Sequence, residues 1–214
     1  MKCIILLASP GAGKGTASDY IENKYGYKHI STGSLLRNES LVNEEIKSLI
    51  DKGLFVSNET VLEVLKKNIH DENMILDGIP RNLEQAKILD SFLEENNIEL
   101  EKVIFIDIDK EIAASRVENR LTCEKCKRVY NKEITNSKVC MICGGNLITR
   151  EDDTKEVFEK RYDTYLKETK PLVDYYKDRL VKIYNNDTLE SLYNNLDKEM
   201  IWWLHLSLQE KLNY

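Results

Sequence analysis

What the sequence lacks already narrows its function. No apolar run approaches the roughly 20 residues needed to cross a bilayer. There is no basic excess, because 31 lysines and arginines face 37 aspartates and glutamates, for a net charge of −6. A general nucleic-acid-binding protein usually carries such an excess, so any anionic ligand must be met by local arginines. Internal repeats and low-complexity linkers are also missing, which favours one core, large enough in 214 residues to carry small inserted modules.

We also expect no export signal. The sequence opens with Met-Lys and a few apolar residues, but this run is too short for a signal peptide and leads directly into a glycine-rich loop. Five cysteines in such a chain, four of them in two close pairs, are typical of reduced thiols bound to metal. We therefore expect a cytoplasmic protein without membrane or nucleic-acid partners.

The glycine-rich loop reads Ala-Ser-Pro-Gly-Ala-Gly-Lys-Gly-Thr over residues 8–16. It lies between a predicted strand at Lys2–Leu7 and a predicted helix at Ala17–Tyr25. Glycines let successive backbone N–H groups converge on an anion, and the helix N-terminus adds partial positive charge. Lys14 adds a full charge, and the Thr16 hydroxyl can reach a phosphate oxygen or a metal-bound water. A turn that only closes a strand–helix unit is the alternative, but the lysine favours nucleoside triphosphate binding.

Short β-rich runs alternate with helical segments, which predicts a parallel α/β sheet. The predicted strands are Lys2–Leu7, Lys28–Ile30, Met74–Leu76, Val103–Ile108 and Leu180–Tyr184. Two stretches interrupt the alternation and are interpreted as insertions. The first, about 31–56, contains predicted helical pieces at Leu35–Asn38 and Asn43–Lys52; the second is about 119–153. Pro171 predicts a break or a new helix start within the helical pattern that follows.

The cysteine pairs have the spacing of two metal-binding knuckles. Cys123 and Cys126 form one Cys-x-x-Cys pair, Cys140 and Cys143 form the other, and thirteen residues separate them. Four thiolates at this spacing suit tetrahedral zinc without an open coordination position, which indicates a structural site. A redox pair or a disulfide is the alternative.

Phosphoryl transfer between nucleotides requires cations around the transferred group, and arginine suits this best because its fork pairs two phosphate oxygens. Each arginine alone is typical of a solvated surface, but as a set around a phosphate loop they indicate phosphate binding. The candidates lie near insertion boundaries or strand ends: Arg37, Arg81, Arg116, Arg120, Arg150 and Arg161.

The sequence around these arginines resembles adenylate kinases. Gly-Lys-Gly-Thr at 13–16 is the variant that nucleoside monophosphate kinases use, and Ser-Thr-Gly-Ser-Leu-Leu-Arg at 31–37 resembles their acceptor segment. Leu-Asp-Gly-Ile-Pro-Arg at 76–81, followed by Gln85, is similar to the family's most recognisable motif. Thr-Arg-Glu-Asp-Asp at 149–153 resembles the end of its mobile lid. The resemblance covers roughly residues 1–196. Within the family, the sequence most resembles adenylate kinases with a long, zinc-bearing lid.

This resemblance implies a P-loop three-layer fold with a five-stranded parallel sheet. The core would comprise 1–30, 57–118 and 154–214, with a nucleoside-monophosphate-binding insertion at 31–56 and a zinc-bearing lid at 119–153. It also implies a monomer that transfers a phosphoryl group reversibly from Mg-ATP to AMP, giving two ADP. The implied cofactors are Mg²⁺ with ATP and structural Zn²⁺.

The resemblance further implies residue roles. ATP would be bound by Gly11, Ala12, Gly13, Lys14, Gly15, Thr16, Arg116, Arg120, Val129, Tyr130 and the backbone of Asp187. AMP would be bound by Thr32, Arg37, Leu54, Phe55, Val56, Gly78, Ile79, Pro80, Arg81, Gln85, Arg150 and Arg161. The catalytic cations would be Lys14, Arg37, Arg81, Arg120, Arg150 and Arg161. Asp77 would orient magnesium-bound waters, and a helix-cap or turn aspartate is the alternative.

Three positions depart from the expected patterns. Ala8 stands where the strict phosphate-loop pattern has glycine. Ser34 stands where the family often has aspartate, and Leu54 where lysine is common. A kinase acting on UMP or CMP remains an alternative, as do a zinc-ribbon binding module and a P-loop regulatory switch. The negative net charge argues against nucleic-acid docking. Two insertions and many arginines exceed what nucleotide binding alone requires.

The C-terminal segment predicts one more helix. Asp187 and Glu190 resemble a capping pair, which predicts a start near Thr188. Leu189, Leu192, Leu196, Met200 and Trp203 follow at helical spacing, which predicts packing on the core. A second stripe of Ile201, Leu204, Leu208 and Leu212 extends beyond the family's usual end. We expect it to cover the protein's own surface, with a partner-binding face as the alternative.

Overall fold

The structure, a computed structural model, describes residues 1–52, 56–69 and 72–212, with side chains described up to residue 201. Its strands are β1 (Lys2–Ala8), β2 (Lys28–Ser31), β3 (Met74–Asp77), β4 (Glu99–Asp107), β5 (Arg120–Cys123), β6 (Val129–Asn131), β7 (Leu147–Ile148) and β8 (Leu180–Tyr184). Five of them form a sheet in the order β2-β3-β1-β4-β8, and every neighbouring pair is parallel. The predicted five-stranded parallel sheet is confirmed.

The α-helices are α1 (Lys14–Tyr25), α2 (Thr32–Glu39), α3 (Glu44–Asp51), α4 (Asn58–Asn68), α5 (Leu83–Glu95), α6 (Lys110–Glu118), α7 (Lys155–Thr164), α8 (Leu172–Tyr175) and α9 (Leu189–Leu212). A π-helical segment, Tyr165–Thr169, follows α7, and α8 begins directly after Pro171, as predicted. Within the part of the chain that the structure describes, no helix has the length and apolarity to span a membrane.

The sheet is covered on both faces, as the side chains of β1 demonstrate. Cys3, Ile5 and Leu7 belong to one buried cluster, which includes residues of α2, α3, α4, α5 and α8. Ile4 and Leu6 point the other way, into a cluster built from α1, α6, α7 and α9. Alternating side chains on a strand face opposite sides, so a central strand buried on both must be apolar throughout. The predicted three-layer α/β fold is confirmed.

Side-chain caps explain where the helices of the first interruption begin. Ser31 Oγ accepts from the backbone N–H of Ser34 at the start of α2. Asn43 Oδ1 accepts from Glu45 and Ile46 at the start of α3. Each such cap contributes about 1 kcal/mol to helix stability. Both predicted helical pieces are confirmed, with α2 longer at its N-terminus than expected.

Strand β4 begins at Glu99 rather than at the predicted Val103 and ends one residue earlier than expected. Three of the four added residues are charged, Glu99, Glu101 and Lys102, which hid the strand in the sequence. Glu101 is buried because it accepts a hydrogen bond from the Tyr27 hydroxyl. Lys102 is buried because its Nζ donates to the Glu199 carbonyl at 2.6 Å.

Helix α9 begins at Leu189, close to the predicted start, but the predicted capping pair is wrong. The Thr188 hydroxyl, not the Asp187 carboxylate, accepts from the N–H of Ser191. Leu192, Leu196 and Met200 are buried in the second cluster, as predicted, whereas Leu189 is exposed. The side chains of Trp203, Leu204, Leu208 and Leu212 lie outside the described residues.

The second interruption folds as a small antiparallel sheet. Its strands have the order β6-β5-β7, and β5 pairs with both neighbours. Sequence analysis did not predict these strands, which are only two to four residues long. They hold the two cysteine pairs at one end.

Candidate active site

The carboxyl ends of the five parallel strands meet at one edge of the sheet. The loops that follow them include the glycine-rich loop, the 78–81 loop and Asp187, all predicted to belong to the site. In open parallel α/β sheets, ligands bind at this edge, where strand order reverses about the first strand. Strand β1 lies at the centre of the sheet and leads into the glycine-rich loop.

The glycine-rich loop has the conformation of an anion-binding turn. Gly11 and Gly13 have φ values of 81° and 87°, which favour glycine. A Cβ added to Gly11 would lie 2.5 Å from the Ala113 carbonyl of α6, so no larger residue fits there. Helix α1 begins at Lys14, three residues before the predicted start, and no described side chain caps it. Its first N–H groups are therefore available to a phosphate.

Two buried polar groups adjoin this loop. Asn185, directly after β8, donates from Nδ2 to the Ala12 carbonyl at 2.8 Å. Its own N–H bonds the Asp107 carbonyl at the end of β4. The Ser9 hydroxyl is buried, and among the described residues it has no hydrogen-bond partner. Sequence analysis gave neither residue a role, because Asn185 belongs to no recognised motif and Ser9 is neither a glycine nor the lysine of its loop.

Lys14 lies against a carboxylate from the neighbouring strand. Its Nζ is 2.9 Å from Asp77 Oδ1, at the end of β3, and His29 Nε2 is 3.3 Å from Asp77 Oδ2. Burial acts to raise the pKa of Asp77, but Lys14 and His29 outweigh it and hold the pKa well below its ordinary value. Asp77 is therefore a carboxylate at neutral pH. Sequence analysis missed His29, which carries no motif.

Arg37 and Arg81 flank the backbone of Gly33. A Cβ added there would lie 3.5 Å from Arg37 Nη1 and 3.7 Å from Arg81 Nη2. Arg81 Nε also donates to the Gly78 carbonyl at 2.8 Å, and Arg37 donates to the Ser34 hydroxyl at 3.2 Å. The structure thus brings together two arginines that are 44 positions apart in the sequence.

Three further arginines come from the second interruption and from α7. Arg120 donates from Nε to Asp153 Oδ2 at 2.7 Å and from Nη2 to the other carboxylate oxygen. Arg161 pairs with Asp152. Arg150 donates to the Thr122 hydroxyl at 3.0 Å. Sequence analysis placed the two aspartates only in the lid motif and did not assign them as partners of the arginines.

These five arginines lie within electrostatic reach of one another. Burial, together with Arg161 and Arg120, lowers the pKa of Arg37. Burial and the same kind of repulsion from Arg120 and Arg37 lower the pKa of Arg150 to about 10. Arg81 has its pKa lowered by burial and by Arg161 and Arg37, and Asp77 opposes this effect. Such a concentration of cations is suited to a highly charged anion.

Four further residues were predicted to bind ATP: Arg116, Val129, Tyr130 and Asp187. Arg116 donates from Nη2 to the Asp187 carbonyl at 3.0 Å, so two of them are in contact. Val129 is exposed on β6. The Tyr130 hydroxyl is 3.1 Å from Cys140 Sγ, which connects this residue to the cysteine cluster.

The predicted acceptor residues include several buried side chains and two that lie outside the described residues, Leu54 and Phe55. Thr32 is buried, and its hydroxyl donates to the Asp77 carbonyl at 3.1 Å. Gln85 is 1% exposed and bonds the backbone of Arg81. Val56 and Ile79 are buried in the first hydrophobic cluster.

The four cysteines of the lid converge. Their sulfur atoms all lie within 4.8 Å of one another, with 3.4 Å between Cys123 and Cys143 and 3.6 Å between Cys126 and Cys140. Tetrahedral zinc with bonds of about 2.3 Å would place sulfurs roughly 3.8 Å apart. All four are free thiols rather than disulfides. The donor set therefore fits a structural zinc ion.

Both knuckles have the same backbone hydrogen bonds. The Cys123 carbonyl accepts from the N–H of Lys127, and the Cys140 carbonyl accepts from Gly144. The N–H of each cysteine in turn bonds a carbonyl five residues on. Lys127 and Gly144 occupy equivalent positions with φ values of 61° and 66°. Each knuckle therefore ends in the same left-handed turn.

Comparison with known proteins decides the family. A family model described as adenylate kinase matches residues 6–181. The chain belongs to the adenylate kinase family. It is 38% identical over 198 residues to an adenylate kinase of Clostridium tetani, covering 87% of this chain and 92% of the relative. It is also 39% identical over 206 residues to an adenylate kinase of Alkaliphilus oremlandii, covering 90% of this chain and 95% of the relative.

As an adenylate kinase, the chain is a phosphotransferase of the nucleoside monophosphate kinase class. The predicted family and enzyme class are confirmed. A UMP/CMP-type kinase and a zinc-ribbon binding module are not favoured, because the named relatives are adenylate kinases over most of their length.

Proposed function

We propose that this adenylate kinase transfers the terminal phosphoryl group of Mg-ATP reversibly to AMP at the carboxyl edge of its sheet, giving two ADP. The observation that carries the residue assignment is the convergence of arginines beside the glycine-rich loop. Asp77 contacts Lys14 and lies within electrostatic reach of Arg37 and Arg81. The donor loop and the acceptor arginines therefore adjoin one carboxylate.

In this proposal the glycine-rich loop and the N-terminus of α1 bind the ATP phosphates. Their N–H groups supply donors without side chains in the way, and Lys14 neutralises charge that develops on the transferred group. Arg37 and Arg81 bind the acceptor phosphate. Because both sides carry fixed cations, the two anions can approach without the repulsion they meet in water.

Arg120, Arg150 and Arg161 complete the cation set from the other side. The carboxylates of Asp152 and Asp153 hold Arg161 and Arg120 in place. A buried arginine without a counter-ion is costly, so these aspartates stabilise the site before phosphates bind. The phosphates then replace part of that negative charge.

Two metals belong to the proposal. Mg²⁺ enters with the nucleotide, and Asp77, ionised and fixed by Lys14 and His29, would hold its water ligands. The ion supplies charge neutralisation between the phosphates. Zn²⁺ would be held by Cys123, Cys126, Cys140 and Cys143, where a closed four-sulfur site leaves no position for substrate.

We also propose three functional units. Residues 31–56 form the acceptor-binding insertion, residues 119–153 form the zinc-bearing lid, and the remaining 1–30, 57–118 and 154–214 form the core. The lid sheet is small, with β7 only two residues long, so zinc rather than a hydrophobic core would hold it together. A unit stabilised in this way can move as one body over the nucleotide and exclude water.

Arg81→Ala tests the assignment. Removing one fixed donor from such a site lowers kcat by about 10²–10³-fold. Arg81→Lys should recover only part of the activity, because lysine keeps the charge and loses the fork. Arg179→Ala is the matched control, since Arg179 is exposed and bonds the Leu100 carbonyl away from the site. An Arg81→Ala enzyme with near-normal kcat would remove the proposed role.

A further inference from the structure

A relay of hydrogen bonds connects the protein surface to Gln85. Glu84 Oε2 accepts from Asn58 Nδ2 at 2.7 Å. Asn58 Oδ1 accepts from Gln85 Nε2 at 2.9 Å. Gln85 Oε1 accepts from the backbone N–H of Arg81 at 2.8 Å. Asn58 is the first residue of α4, whereas Glu84 and Gln85 lie in the first turn of α5.

The two ends of this relay fix the direction of every bond in it. A backbone N–H can only donate, so the Arg81 end requires the oxygen of the Gln85 amide. A carboxylate can only accept, so the Glu84 end requires the nitrogen of the Asn58 amide. If the Gln85 amide turned over, two donors would oppose each other at Arg81 and two acceptors at Asn58. Gln85 is 1% exposed, so water does not compensate for such a mismatch.

The relay is not needed to cap the helices that carry it. Helix α4 is capped by Ser57, whose hydroxyl accepts from the N–H of Thr60 at 3.2 Å. Helix α5 is capped by Asn82, whose Oδ1 accepts from the N–H of Gln85 at 2.8 Å. The side chains of Asn58 and Gln85 therefore do not serve as the helix caps that polar residues at helix starts usually provide.

We propose that Asn58 and Glu84 are positioning residues that make the acceptor site specific for adenine by fixing the orientation of the Gln85 amide. This inference rests on the proposed function and on the role that the family resemblance implies for Gln85, recognition of the acceptor base. After the relay bonds are made, the amide retains one hydrogen on Nε2 and one lone pair on Oε1. Adenine presents the complementary pair, an acceptor at N1 and a donor at N6.

A 6-oxopurine presents the reverse pattern, with a donor at N1 and an acceptor at O6. With ribose and phosphate fixed, such a base cannot turn over, so it would require the Gln85 amide to turn instead. The relay makes that turn unfavourable by two mismatched contacts. Discrimination against 6-oxopurines is therefore expected to depend on residues that do not touch the base.

The direct test compares AMP with IMP, which carries the 6-oxopurine edge without the extra 2-amino group of GMP. Asn58→Ala removes one of the two mismatches and should lower the AMP/IMP ratio of kcat/KM by about tenfold, the order expected for one buried polar mismatch. Asn58→Asp is the matched control at the Gln85 contact, because a carboxylate still only accepts from Gln85, while the exposed Glu84 can turn away from it. Its ratio should stay within about twofold of the wild type.

A second variant avoids any change in the buried pair. Glu84→Lys replaces the outer acceptor by a donor and should lower the ratio about threefold, less than Asn58→Ala because Glu84 is exposed. Glu59→Lys is its control, since Glu59 is also an exposed first-turn acid, on α4. If Asn58→Ala melts below the assay temperature, Glu84→Lys decides.

The outcomes separate the two proposals. A wild-type enzyme that uses IMP better than AMP contradicts the proposed function itself. A wild-type preference for AMP that neither Asn58→Ala nor Glu84→Lys alters overturns the relay alone. Equal loss of kcat/KM for both nucleotides also overturns it, because a merely structural defect leaves the ratio unchanged.

Discussion

At the scale of single residues, Asn185 supports the glycine-rich loop although sequence analysis gave it no role. Its Nδ2 donates to the Ala12 carbonyl and so fixes the Ala12–Gly13 peptide, whose N–H is one of the donors proposed to bind phosphate. Asn185→Ala leaves that buried carbonyl without its donor, a loss of about 1–3 kcal/mol. We expect the KM for ATP to rise about tenfold, while the KM for AMP remains close to the wild-type value. Steady-state kinetics with each substrate varied measures both.

Two companions make this result interpretable. Asn185→Asp should weaken ATP more than alanine does, because a carboxylate would face both the Ala12 carbonyl and the nucleotide phosphates. Asn96→Ala removes a similar amide-to-carbonyl bond of 2.8 Å at an exposed helix end and should change neither KM. An Asn185→Ala enzyme with wild-type KM for ATP would mean that the loop holds its shape unaided.

His29 makes stability depend on pH. Burial alone would lower its pKa, but hydrogen bonds to Asp19 and Asp77 raise the pKa to about 9, from an ordinary 6.5. A raised pKa means that this pairing contributes fully below about pH 6.5 and is lost as the pH rises through about 9. The wild type should therefore exceed His29→Gln in free energy of unfolding by at most about 3 kcal/mol at pH 6. This difference in free energy of unfolding should shrink by pH 10. Denaturant titrations at both pH values measure it, and a difference that does not change with pH would contradict the role of His29.

Residues with a recognisable chemistry could be predicted from sequence, and their supporting partners could not. Lys14 and Arg81 stand in motifs whose spacing alone indicates phosphate binding. Asn185 and His29 act through contacts that only the sheet creates, when β2, β3 and β8 end at one edge. The Asp187 cap was wrong because Thr188, one residue closer to α9, has a hydroxyl that competes for the same N–H group.

At the scale of elements, the two zinc knuckles offer an internal comparison. Gly144 and Lys127 occupy equivalent left-handed positions, and a Cβ added at Gly144 would meet none of the described atoms within 4 Å. Gly144→Ala therefore adds only backbone strain, about 1 kcal/mol, and should weaken zinc binding about fivefold. Lys127→Gly relieves the same strain but increases the conformational entropy of the unfolded chain. The two effects oppose each other, so zinc affinity should stay within about twofold of the wild type. Competition with a chelator measures both, and equal affinities for Gly144→Ala and wild type would contradict the comparison.

Metal removal tests the lid as a unit. Chelation, or Cys140→Ser, should reduce zinc content from about one per chain and lower the melting temperature, because a sheet this small depends on its metal. Hydrogen exchange should accelerate first across 119–153, while amides of β1 and α1 remain protected. If the metal-free protein is equally heat-stable, the cysteines have another purpose.

At the scale of the whole molecule, the sheet and its layers follow from the alternation of apolar runs with helical segments. The β4 start was missed because Glu101 and Lys102 are charged, and only Tyr27 and α9 explain their burial. The lid sheet was missed because its strands are too short to carry a periodic signal. Contacts with residues distant in sequence, rather than local propensity, determine the start of β4 and the strands of the lid.

The central claim, that this edge transfers a phosphoryl group from ATP to AMP, is tested most directly by the acceptor itself. Purified protein is supplied with Mg-ATP and one acceptor, AMP, CMP, UMP or GMP. The nucleotide products are then separated and quantified. The account predicts two ADP for each AMP consumed, the reverse reaction from ADP alone, and a much lower kcat/KM for the other three acceptors. A higher kcat/KM for UMP or CMP than for AMP, or no transfer to AMP at all, would contradict it.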